Sequence, residues 1–216
     1  MEPPLTTNRE YRRAEHLADS AVHVVGVALG IAGVVWLAFL LLPKLATLGE
    51  RLSVAVYAIA LLGMLTASAA YNMWPLTPLK SWLRRIDHGA IFVMIAGTYT
   101  PFIAQMPNGW TPLILFVVIW SVAIAGLVLK LAMPGHLERL TILLYLALGW
   151  SGVAAYLTSP FVLDEDTWRM LGLGGMIYSA GVAFHVSERL PFHKAIWHVF
   201  VLGGALCHYI ALLALV

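Results

Sequence analysis

Charge is what this chain has least of: Asp, Glu, Lys and Arg make up only 11% of its 216 residues. A soluble domain carries about 25%, so a water-exposed globule is excluded and a bilayer is the expected solvent. Cysteine is nearly missing as well. Cys207 stands alone, which excludes an internal disulfide and leaves the redox compartment open. The net charge of +2 is too small to mark nucleic-acid binding. Residues 1–20, MEPPLTTNREYRRAEHLADS, lack the apolar core of a signal peptide. They read as a cytoplasmic tail or surface helix, with the first apolar stretch serving as the insertion signal. Internal repeats and low-complexity tracts are absent too.

What the chain has is apolar length. A helix needs roughly 20 mostly apolar residues to cross a bilayer, and such stretches run at about 21–42, 53–74, 86–105, 111–132, 138–159, 169–187 and 195–216. Proline, glycine and charge punctuate the breaks, as in Pro75 to Pro78, Met106-Pro107-Asn108-Gly109 and Asp164-Glu165-Asp166. The expectation is an all-α integral membrane protein with seven transmembrane helices in one domain, 21–216. The basic residues set its orientation. Arg9, Arg12, Arg13, Lys80, Arg84, Arg85, Lys130, Arg139, Arg189 and Lys194 fall on one side; Lys44, Arg51 and Arg169 fall on the other. That asymmetry puts the N-terminus in the cytoplasm and the C-terminus outside.

Under this topology the polar residues gather near one leaflet. Ser68 and Asn72 share a face at the end of the second span by their i, i+4 spacing. Asp87 and His88 open the third span, Ser20 and His23 open the first, His185 closes the sixth, and Lys194 and His198 open the seventh. Intramembrane ionisable groups are costly and usually mark function. Each also has a plain structural reading. Lys194 reads equally as a cation snorkelling to the interface, His88 as an interfacial residue beside Arg85, and His208 as a hydrogen bond between helices. Ser20, His23 and His185 read as a polar cluster. Asp87 is harder to explain away, since a carboxylate at a span boundary wants a partner, and Arg84, Arg85 and Lys194 are the candidates. Pro101, in Gly97-Thr98-Tyr99-Thr100-Pro101, is expected to bend or end the third span, with Thr98 and Thr100 satisfying the backbone groups it frees.

The stretches "EHLADSAVHVVG" (15–26), "SAAYN" (68–72), "RRIDHGAIFVMIAGTYTPF" (84–102), "LGW" (148–150), "GGMIYSAGVAF" (174–184) and "AIWHVFVLGGALCHY" (195–209) together resemble the hemolysin III branch of the progestin and adipoQ receptor (PAQR) family. The resemblance implies a seven-helix fold with a cytoplasmic N-terminus. It also implies kinship with a wider group of membrane hydrolases that includes alkaline ceramidases. That group's pattern is Ser-x3-His on the second span, Asp at the third and His-x3-His on the seventh, with three histidines holding zinc. Here Ser68 and Asp87 match as candidate catalytic residues, and His198 matches as a metal ligand. Asn72 and Lys194 stand at the other two expected ligand positions. A protonated lysine cannot ligate, and His193 sits about 140° around the helix from His198.

The expectation is therefore a member whose zinc site is altered, with no resident cofactor unless the family site survives, and with Lys194 pairing with Asp87 where the metal would stand. Membrane-lipid homeostasis or sensing at the cell membrane is the first functional reading. A zinc-dependent lipid amide or ester hydrolase, using His198, Asp87 and an unrecognised ligand, is the alternative, so whether the chain is an enzyme stays open. A pore-forming cytolysin is the third reading. Membrane lipids are the expected partners, nucleic acid is not, and homo-oligomerisation is left open.

Overall fold

The computed structural model describes residues 5–133, 138–158, 163–187 and 189–215. Among these it is entirely helical: α1 (Leu5–Trp36), α2 (Leu48–Met73), α3 (Pro78–Ala104), α4 (Trp110–Ala132), α5 (Glu138–Thr158), α6 (Glu165–His185) and α7 (His193–Leu213). Four helical stretches are long and apolar enough to cross a membrane: Arg13–Lys44, Leu48–Met73, Trp110–Ala132 and His193–Leu213. The other three expected spans are helices as well. In α3 and α6 the apolar residues share the helix with charge, Lys80 to Asp87 in one and Glu165 to Arg169 in the other. Large apolar side chains cover the outside of the bundle, Phe39 at 75% exposure and Ile59 at 72% among them. Contiguous apolar surface on that scale suits lipid rather than water.

Local chemistry sets the helix ends. Thr47 and Glu50 close a capping box on α2, with Glu50 N–H donating to Thr47 Oγ1 (3.2 Å) and Thr47 N–H to Glu50 Oε2 (2.9 Å). Asp164 caps α6 by accepting from Thr167 N–H at 2.6 Å. That bond holds the Asp164 carboxyl below the usual carboxylate range. The first helix widens into a π turn at Leu37–Leu41 and a tighter turn at Leu42–Lys44, where Pro43 offers no N–H to continue it.

Two clusters make the core. One gathers Tyr57, Leu61, Met64 and Leu65 of α2 with Ala205, Ala211 and Leu212 of α7. The other packs Phe92 and Ala96 of α3 on Ile119 and Ala123 of α4 and Leu148 of α5. Glycines let α1 sit close to its neighbours. A Cβ at Gly30 would stand 2.5 Å from Leu65, and one at Gly26 would stand 2.8 Å from Leu202. Small residues at helix contacts permit this approach in membranes, where apolar side chains gain nothing by leaving lipid. Further along, Tyr209 Oη donates to the Gly33 carbonyl at 2.8 Å. These contacts fix the register of α1 against α2 and α7.

Pro101 lies inside α3, which runs on to Ala104. The expected bend-or-end is therefore an end one turn later. The hydroxyls of Thr98 and Thr100 do bond to their own helix, but they take the carbonyls of Met94 (2.9 Å) and Ala96 (2.8 Å) rather than that of Gly97. Thr100 also accepts from Trp120 Nε1–H at 3.2 Å, so the segment ties α3 to α4.

Candidate metal and lipid site

Glu15, Asp19 and His23 recur every four residues and so share one face of α1. Each meets α7 or the turn before it. Glu15 Oε1 accepts from Phe192 N–H at 2.7 Å. Phe192 holds a left-handed backbone at φ 58°, unusual for a bulky residue, and Glu15 secures the donor that this turn exposes. Asp19 and His23 are both buried. His198 Nδ1–H donates to Asp19 Oδ1 at 2.6 Å, which fixes the tautomer and leaves the Nε2 lone pair for another partner. His23 Nε2 lies 3.7 Å from the same oxygen, and the two imidazoles pack with ring centroids 4.3 Å apart. His23 Nε2 is buried and makes no hydrogen bond.

Asp87 is buried on α3, with the Ser68 hydroxyl within hydrogen-bonding reach and the charges of His23 and Asp19 acting on it. Asn72 turns back on its own helix, donating to the Ser68 carbonyl at 3.0 Å and reaching Ser68 Oγ at 3.5 Å. The expected ion pair is not formed: Lys194 is exposed, and no ion pair joins it to Asp87 among the described residues. Lys194 is exposed in the first turn of α7, where a long cationic side chain stays with water, while Asp87 is buried in the third turn of α3. In place of Lys194, the neighbours of Asp87 are Ser68 of α2 and the Asp19–His23 pair of α1.

The remaining candidates separate by place. His185 packs on Trp197 with ring centroids 5.0 Å apart. His208 donates through Nε2 to the Leu171 carbonyl at 3.3 Å, the interhelical hydrogen bond expected of it. Ser20 lines neither of the two cavities described below.

These cavities meet at the cluster. A predominantly apolar one of about 790 Å³ runs between the helices, with His23, His198, Ser68 and Asp87 at one end and Phe102, Ile103 and Leu115 further in. A polar vestibule of about 680 Å³ lies at the basic end of the bundle and takes Asp19 into its wall. Tyr71, Asn72, His193 and Lys194 line both, so one opens into the other.

The zinc that the resemblance implies needs nitrogen and oxygen donors that converge on one point. Asp19, His23 and His198 offer ligand atoms all within 4.8 Å of one another. Two imidazoles and a carboxylate are a donor set that catalytic zinc sites use, and the unpartnered His23 nitrogen is a ready lone pair. The three residues fit a divalent ion of the zinc kind. Sequence reasoning placed His23 only in a polar cluster and passed over Asp19. The signal was available, since Asp19 and His23 repeat on the first span the i, i+4 spacing weighed on the second and seventh.

A family model described as "Haemolysin-III related" matches residues 12–209. The chain belongs to the haemolysin-III-related family. Its relatives include the hemolysin-3 homolog of Bacillus subtilis (strain 168), 33% identical over 92% of this chain and 93% of that protein. Hemolysin-3 of Bacillus cereus is 31% identical over 88% of this chain and 87% of its own length. The human monocyte to macrophage differentiation factor, a PAQR member, is 28% identical over 92% of this chain and 83% of its length. This haemolysin-III-related protein is thus a membrane-type family member whose α1 and α7 bring an aspartate and two histidines together.

Proposed function

We propose that this protein is a metal-assisted membrane hydrolase that cleaves an amide or ester bond of a lipid lying in the apolar cavity, and so serves membrane-lipid homeostasis. One observation carries this reading: the Asp19–His23–His198 set opens, beside buried Asp87, into a lipid-sized apolar cavity. Asp19, His23 and His198 would hold the ion, and when bound it would supply Lewis-acid polarisation of the carbonyl under attack. The chain's own groups do the rest. Asp87 accepts a proton from the attacking water and returns it to the leaving amine or alkoxide oxygen as the amide or ester bond breaks, and the Ser68 hydroxyl donates to Asp87 and fixes its orientation. The apolar wall seats the chain and keeps bulk water from the site.

A second reading is metal-independent lipid sensing. It is favoured by the 2.6 Å His198–Asp19 bond, which satisfies both groups without an ion, and by Asn72 and Lys194 at the ligand positions expected from the family pattern. The names of the hemolysin-3 relatives are not carried over as an activity. Zinc content of protein purified without chelator decides between the first two. Stoichiometric zinc that disappears in His23→Ala and His198→Ala supports the hydrolase; metal-free protein that still binds lipid supports the sensor.

A further inference from the structure

We propose that the polar vestibule is a phosphate-recognition site, with Lys80 and Lys194 holding the phosphorylated head of a lipid whose chain lies in the apolar cavity. This deepens the function proposed above by naming the substrate class, and it rests on that reading only in taking the cavity as a lipid site.

The vestibule brings together Lys80 from the first turn of α3 and Lys194 from the first turn of α7. Lys80 is held in place. Its Nζ donates to the Trp74 carbonyl at 2.7 Å and stands 5.5 Å from the centre of the Tyr71 ring. An ammonium has three donors, so this bond leaves two. Neither lysine is in an ion pair among the described residues. The two acids of the wall are already engaged, Glu15 by Phe192 N–H and Asp19 by His198. Burial, and then the Lys194 charge, lower the pKa of Lys80, which precedes the apolar part of α3. Two cations facing one space, neither of them in an ion pair among the described residues, are what an anion relieves. His193 adds a buried Nδ1 without a partner, on a side chain that lines both cavities. Two ammonium groups and an imidazole suit an anion with several acceptor oxygens, for which lysine serves as a point charge.

The geometry also says where such a lipid would be cut. Asp19 belongs to the vestibule wall, while His23 and His198 belong to the cavity wall. A molecule with its head among the lysines and its chain in the cavity passes the triad at the junction between them.

The test uses the full-length purified protein in detergent with EDTA, so that metal plays no part. Native mass spectrometry compares dioleoyl phosphatidic acid, dioleoylglycerol and inorganic phosphate as probes. Phosphatidic acid should bind at least about tenfold more tightly than the diacylglycerol, and Lys80→Gln and Lys194→Gln should each remove about tenfold of that preference. Lys194→Arg, which keeps the charge, should retain it. In the unmodified protein the preference should shrink as salt rises, a readout that stands even if a variant does not fold. An unchanged preference in the double Gln variant, or one that salt does not touch, would overturn the proposal. Inorganic phosphate binding as well as the lipid would overturn its lipid part, leaving a free-anion site. A phosphate preference in protein that takes up no zinc when the ion is added back would sink the hydrolase while leaving this inference standing.

Discussion

Two polar hubs inside this bundle are built to opposite ends. Around Tyr99, between α3 and α5, everything is paired. The phenol accepts from Gly152 N–H at 2.7 Å and donates to the Gly149 carbonyl at 2.6 Å, with the Leu148 carbonyl at 3.0 Å and Ser151 Oγ at 3.3 Å. Around Asp19, between α1 and α7, two imidazoles crowd one carboxylate oxygen, and His23 Nε2 has no partner although it is buried. A buried polar group without a hydrogen bond is expensive. The first hub is therefore a structural clamp, and the second keeps a cost that a ligand can remove.

The contrast can be broken at its strongest point first. His198→Ala leaves the Asp19 carboxylate buried without its 2.6 Å partner, and losing one member of such a pair costs about 3–5 kcal/mol. The same variant should also lose the stabilisation that zinc gives the unmodified protein, about 2.7 kcal/mol at a hundred times the dissociation constant. Chemical denaturation in detergent, with and without zinc, measures both. A full zinc shift in the variant would mean that the triad is not the metal site.

Tyr99→Phe sharpens the other side. It strands Gly152 N–H, for about 1–3 kcal/mol, but should leave the zinc shift intact, because the clamp is remote from the ligand set. Loss of the zinc shift here would dissolve the distinction between the two hubs.

Glu15→Ala probes what holds the second hub in register. Freeing Phe192 N–H should cost about 1 kcal/mol in a half-exposed turn and weaken zinc binding roughly tenfold, as losses of supporting partners do. A change in stability without a change in zinc affinity would separate the turn from the site.

The smallest effect lies outside both hubs. The α6 cap depresses the Asp164 pKa, so its contribution is present above the unfolded-state value and fades as pH falls through the folded one. Asp164→Asn should flatten the acid limb of the stability curve slightly, leaving stability near neutral pH almost unchanged. An unchanged acid limb would show that the cap is not coupled to folding.

Much of this was written in the sequence. Low charge and long apolar runs required helices in lipid, and the turn residues marked their ends to within a few positions. Proximity in sequence also fixed which residues share a helix face: Ser68 with Asn72, Lys194 with His198, and Asp19 with His23. Partners across helices could not be read in the same way, because they depend on rotation and depth. The glycines of α1 let it approach α2 and α7 closely, and that approach brings Asp19 and His23 onto His198. Exposure separates Lys194 from Asp87, since a long cationic side chain at a helix end reaches for water while a buried carboxylate cannot. The sequence determined that a costly polar cluster would sit near one end of a membrane bundle. Only the packing of α1 against α7 decided that its members are an aspartate and two histidines with a coordinating nitrogen left free.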